Sequence, residues 1–158
     1  YIDDRWLYDQ EDELPPVIEL DLATQRPEIS VIGSDVTIVA SGHASLLARE
    51  AQELLKCENI SAEVIDVRVL NPFHAEEIIE SVKKTKNLLV VDSGWISGGF
   101  SAEVIVKVVE QLPVDCLSNP PVRVALPDAP APTSRVLEKS YYTSTDDVVK
   151  AVKKILNS

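Results

Sequence analysis

The sequence predicts a three-layer α/β/α domain over about residues 30–158, and two observations carry that prediction. Short runs of Val, Ile and Leu alternate with stretches whose apolar residues recur at helical spacing. Glycine, proline and asparagine mark the joins between them. Strands alternating with helices imply right-handed crossovers and a parallel sheet covered on both faces.

Each element follows in order. Val36–Ala40 (VTIVA) is the short β-branched run expected of a strand buried on both faces. After Ser41-Gly42 the period turns helical, with Leu47, Ala51, Leu54 and Leu55 in one stripe. Ala62–Val67 reads as a second strand, and Asn71-Pro72 breaks the chain after it. Ala75, Ile78, Ile79 and Val82 mark a second helix, and Leu88–Val91 a third strand. A glycine-rich turn, Gly94 to Gly99, leads into a third helix striped by Ala102, Ile105, Val106 and Val109 and ended by Pro113. Val122–Leu126 is a fourth strand, followed by a proline-rich loop from Pro127 to Pro132. Val148, Val152, Ile155 and Leu156 stripe a closing helix. Its acids Asp146 and Asp147 lie near the start and Lys150, Lys153 and Lys154 towards the end, as the helix dipole favours.

Composition bounds the function. The 158 residues suit one domain with a sizeable core, and the 5% aromatic content requires that core to be aliphatic. No apolar run approaches the ~20 residues of a membrane span, and the start has no signal-peptide pattern. The chain opens at Tyr1 and holds no methionine, so it is expected to be a piece of something longer. The net charge of −11 argues against nucleic acid, which needs a basic surface. Residues 1–30 carry nine acids against two arginines, so the acidity gathers on the leading segment. A solvated acidic face and a surface for a basic protein partner both fit that distribution. Within that segment Asp9–Pro16 reads as an exposed linker. Ile2, Trp6, Leu7 and Tyr8 are apolar enough to imply packing on something upstream. Cys57 and Cys116 are far apart and fit no CxxC spacing, so reduced thiols are expected rather than a zinc site or a disulfide scaffold.

Four places invite chemistry, each with a plainer reading beside it. The turn Gly94–Gly99 (GWISGG) precedes a helix start, where N–H groups hold anions. It is neither GxGxxG nor GxxxxGK[ST], no lysine follows, and Glu103 is placed to interact with those N–H groups itself. His43, in the turn after the first strand, is placed as a general acid or base or simply as a helix-start residue. Asp66 and Arg68 leave the same face of the second strand, as a loop-fixing ion pair or an anchor for a neighbouring domain. The loop Pro127–Ser134, with Asp128 and Pro130, is stiff, so it presents a fixed surface to a partner or routes the chain across the sheet. No nucleophile, base and oxyanion hole assemble from the pattern.

The order of the pieces carries a resemblance. Gly33-Ser34-Asp35-Val36-Thr37-Ile38-Val39, then Glu63-Val64-Ile65-Asp66-Val67-Arg68 with Leu70-Asn71-Pro72, then Gly98-Gly99-Phe100-Ser101-Ala102-Glu103, then Pro127-Asp128-Ala129-Pro130 with Leu137-Glu138 follow one another at family spacing. Together they resemble the C-terminal domain of the transketolase superfamily, most narrowly in the beta subunit of thiamine-diphosphate-dependent 2-oxoacid dehydrogenases of pyruvate, branched-chain or acetoin type. The resemblance implies a five-stranded, mostly parallel sheet with one antiparallel edge strand, the fifth strand being Glu28–Ile32. It implies that residues 1–29 are a linker and the remnant of an upstream pyrimidine-binding domain, with the C-terminal-like domain over 30–158. Asp92-Ser93 stands where many relatives carry an acidic or His-Glu pair.

The resemblance further implies a parent enzyme in which thiamine diphosphate and magnesium sit between an alpha subunit and the beta subunit's N-terminal domain. No cofactor, metal or complete active site is therefore expected in this chain. The implied partners are the alpha subunit, a second beta subunit and the basic subunit-binding domain of the acyltransferase core. The implied interface residues are Asp66, Arg68, Gly98, Gly99, Phe100, Glu103, Asp128 and Pro130. The implied compartment is the cytoplasm, or the mitochondrial matrix in a eukaryote. The competing readings are a flavodoxin-like module that binds a small anion or nucleotide at the Gly42-His43 and Gly94–Gly99 turns, and the C-terminal domain of another thiamine-dependent transketolase-like enzyme.

Overall fold

The computed structural model describes residues 5–11, 13, 16 and 19–157. Ile2, Asp3, Asp4, Asp12 and Pro15, which belong to the expected leading segment, lie outside the described residues. Five strands form one sheet: β1 (Glu28–Val31), β2 (Val36–Ala40), β3 (Ala62–Asp66), β4 (Leu88–Trp95) and β5 (Val122–Leu126). Their order is β1-β3-β2-β4-β5. β1 runs antiparallel to β3 at the edge, and the other pairs are parallel. The helices are α1 (His43–Lys56), α2 (Glu76–Thr85), α3 (Phe100–Val109), α4 (Arg135–Tyr141) and α5 (Thr145–Leu156).

Strand alternation sorts the core into two faces. Val36, Ile38 and Ala40 of β2 point with Leu89 and Val91 of β4 towards α1 and α5. Val39 points with Leu88 and Val90 the other way, towards α2 and α3. The sheet is thus the middle of three layers. Every fully buried large side chain but one is Val, Ile or Leu, as the low aromatic content requires. The exception is Glu63 of β3. Its carboxylate takes the Gly33 N–H at 3.1 Å and the Lys84 ammonium at 2.5 Å. Burial alone would raise its pKa; hydrogen bonds from Lys84, Ser81 and Gly33 prevail and hold it below the usual carboxylate range. Gly33 is required there, because a Cβ would stand 2.2 Å from the Ala62 carbonyl carbon.

Three expectations are corrected. α3 buries Ser101, Val104 and Val108 rather than the expected stripe, so Val106 and Val109 face outward. Seven of the ten residues of FSAEVIVKVV are apolar and they are spread around the helix, so the pattern leaves the phase open and the sheet chooses the inner face. α4 leaves no apolar stripe at helical spacing in the sequence, because none of its residues is buried. β4 continues past Asp92 to Trp95, with a register irregularity against β5 between Val91 and Trp95.

The leading segment does not stand clear of the domain. Trp6 packs on His43 and Tyr142, with ring centroids 5.8 and 5.4 Å away. His74 Nε2 pairs with the Ala23 carbonyl at 2.8 Å. Arg26 reaches Glu76 and Glu77 at the start of α2.

Candidate interaction surface

The glycine-rich turn is built around Asp92. One oxygen of its carboxylate accepts the Gly94 N–H at 2.8 Å, and the other accepts the Ser101 N–H at 2.7 Å. An N–H at the start of α3 therefore already holds an anion, and it is the chain's own. Gly99 is the N-cap and supplies no side-chain cap. A Cβ there would lie 2.2 Å from the Trp95 carbonyl oxygen and 2.8 Å from Asp92 Oδ2, so the turn is closed backbone to backbone. Gly98 has φ +72°, a left-handed conformation that favours glycine. These residues do not fit a diphosphate: the occupied donor, the fixed carboxylate and the closed turn all oppose a second anion. Glu103, expected to meet those N–H groups, is exposed on the helix's first turn while Asp92 does so.

The proline loop is tied to this turn. Asp128 accepts the Ser97 hydroxyl at 2.6 Å and the Ser97 N–H at 3.1 Å. Ile96 N–H donates to the Leu126 carbonyl at 2.8 Å, and Arg123 donates to the Ile96 carbonyl at 2.7 Å. The Tyr141 hydroxyl donates to the Ala129 carbonyl at 2.7 Å and accepts the Trp95 indole N–H at 3.1 Å. Phe100 meets Phe73 edge-on, centroids 5.2 Å apart. Turn, proline loop and α4 thus form one braced unit at the carboxyl ends of β4 and β5. Three of its large apolar side chains are exposed: Trp95 at 55%, Val136 at 76% and Leu137 at 58%.

Of the sequence-predicted interface residues, Gly98, Gly99, Phe100, Glu103, Asp128 and Pro130 fall on these connected elements. Asp66 and Arg68 do not join them. They sit at the end of β3, on the far side of β2. Arg68 pairs there with Glu28 and stands 3.9 Å from Asp66. Asp66 accepts the Ser45 hydroxyl at 2.6 Å. Burial pushes the Asp66 carboxyl above the usual range, and Ser45 and Arg49 only partly offset it. Sequence reasoning missed Trp95, Tyr141 and α4 as parts of the surface. The aromatic pair Tyr141-Tyr142 just after the proline loop was the available signal. Among the described residues no group of three or more His, Cys, Asp or Glu gathers to hold a metal ion, and no helix is long and apolar enough to cross a membrane.

The family profile "Transketolase, C-terminal domain" matches residues 26–148. The chain is 37% identical over 155 residues to the pyruvate dehydrogenase E1 component subunit beta of Rickettsia felis, covering 98% of this chain and 47% of that protein. The mitochondrial subunit beta of Caenorhabditis elegans is 39% identical over 132 residues, covering 84% of this chain and 38% of that protein. The chain thus spans half or less of the length of these relatives. A solved split-gene transketolase, an inactive beta4 tetramer, superposes with a TM-score of 0.76 at 30% identity, over 93% of this chain and 46% of that one. A 2-oxoglutarate:ferredoxin oxidoreductase from Magnetococcus marinus, at TM-score 0.59 and 15% identity over 84% of this chain and 20% of that one, shares the fold alone. By the profile match over residues 26–148 and the identity to these relatives, this chain belongs to the transketolase C-terminal domain family.

Proposed function

We propose that this chain is the C-terminal assembly and docking domain of the beta subunit of a 2-oxoacid dehydrogenase, and that it has no catalysis of its own. The parent would decarboxylate a 2-oxo acid oxidatively and pass the acyl group to a lipoyl arm, using thiamine diphosphate and magnesium bound outside this domain. One observation carries the proposal. The carboxyl ends of parallel strands are where such sheets ordinarily take ligands. At β4 and β5 that region is filled by the chain's own carboxylates, Asp92 and Asp128, and faced by Trp95, Val136 and Leu137. Such a surface suits packing against protein better than holding a phosphate. The partners are the alpha subunit, a second beta subunit and the basic subunit-binding domain of the acyltransferase core, the last favoured by the net charge of −11. The compartment is that of the parent, cytoplasm or mitochondrial matrix.

Two calorimetric titrations test this, one with thiamine diphosphate and magnesium and one with a purified acyltransferase subunit-binding domain. Heat only from the protein partner is the expected result. Saturable binding of the cofactor by this chain overturns it in favour of a ligand-binding module. If both titrations are silent, the docking role is lost and subunit contact alone remains.

A further inference from the structure

Among the described residues no aromatic side chain is buried in the aliphatic core. Four of them meet instead, together with His43, in a row across the carboxyl ends of the strands. Trp6 of the leading segment lies between His43, at the start of α1, and Tyr142, which precedes α5. Tyr142 meets Tyr141 edge-on, centroids 5.1 Å apart. Tyr141 closes the row on the Trp95 indole at the end of β4. α4 depends on this row. It has seven residues, none of them buried, and no side-chain cap at Ser134. A helix that short does not hold itself in water. Its last residue is Tyr141 and its C-cap is Tyr142, so the row grips its C-terminal end from two sides. Trp95 and the Ala129 carbonyl hold Tyr141, and Trp6 holds Tyr142.

The leading segment sits lightly at this end, for Trp6 stays 58% exposed. It has a second tether farther along, where the Ala23 carbonyl meets His74 and Arg26 meets Glu76 and Glu77. Release of Trp6 therefore leaves the segment attached to the domain. We propose that the leading segment is a strap and Trp6 its pin. Seated on His43 and Tyr142, the pin orders α4 and the face that Val136 and Leu137 present; drawn out, it frees both. Aromatic pairs of this geometry shift an equilibrium about three- to tenfold. That is enough to bias α4 towards order and little enough for the pin to leave. Control of the Val136–Leu137 face as a docking surface rests on the function proposed above; control of the order of α4 does not.

The test is amide hydrogen exchange of the full chain, followed by mass spectrometry. In Trp6→Ala, exchange through α4 should speed up about three- to tenfold, while β2 and α5 keep their rates because Trp6 is no part of the core. Trp6→Phe keeps a ring on Tyr142 and should fall between. In a Tyr142→Ala background, Trp6→Ala should add nothing further, since the ring that carries the pin to α4 is already gone. Unchanged exchange in α4 of Trp6→Ala overturns the strap, and so does a rise spread equally through β2 and α5. A calorimetric titration with the purified acyltransferase subunit-binding domain separates the two readings. No heat with the parent chain removes the docking reading and leaves the exchange result to decide the strap. Where the parent chain binds, Trp6→Ala should weaken the affinity about three- to tenfold, and an unchanged affinity overturns control of docking by the pin.

Discussion

Asp92 satisfies donors from both the turn and the helix that follows, so its removal uncouples them. Asp92→Ala should lower stability by about 1–2 kcal/mol, the scale of a lost helix cap, read from the urea midpoint at unchanged slope. Two carboxyls of β3, the buried Glu63 and the half-buried Asp66, are shifted in opposite senses. Glu63 is held below its unfolded pKa, so its contribution is full at neutral pH and is lost as pH falls past the ordinary carboxylate range and through the lower folded value. Lys84→Ala removes the cation opposite Glu63, so unfolding on acidification should begin at higher pH than in the parent chain. Asp66 is held above its unfolded pKa, so its charge costs stability at neutral pH, and that cost fades as pH falls to about 4 and below. Asp66→Asn should therefore raise Tm at pH 7, with the gain vanishing near pH 3; a gain that persists in acid contradicts the sign. Neither role was legible in advance. Glu63 reads as one more polar residue in AEVID, and only the packing of α2 on the sheet brings Lys84 to it.

At the scale of elements, legibility followed burial. β2, β3 and the closing helix announce themselves because one face or both must be apolar. β1 has the burial pattern eeei, so its four residues carry no alternation, and the family resemblance rather than periodicity identified it. α4 is the converse case: an element held by Tyr141 rather than by a core face. Tyr141→Phe removes both of its hydrogen bonds and should speed amide exchange through α4 and the proline loop while leaving the urea midpoint nearly unchanged. Val136→Ser with Leu137→Ser should change folding stability by no more than about 0.5 kcal/mol, because both side chains are exposed. The same double change should weaken association with the proposed subunit partners, measured by titration. Loss of stability in place of loss of binding would show that α4 serves the fold alone.

Across the whole molecule, one sheet divides an aliphatic core into two faces, and the carboxyl ends of its strands divide likewise. The β4–β5 side is braced and apolar, while the β2–β3 side keeps a small charged cavity.

The sequence by itself determined the α/β/α architecture, the aliphatic core and, through five weak motifs in order, the family. Those features live in periodicity and spacing, which are local properties of the chain. Only the tertiary structure decided which carboxylate holds the start of α3, which face of α3 is inner, and that Trp95, Tyr141 and the proline loop form one unit. Each of these depends on residues from several strands and helices meeting at one end of the sheet, and long-range juxtaposition leaves no period in the sequence to read.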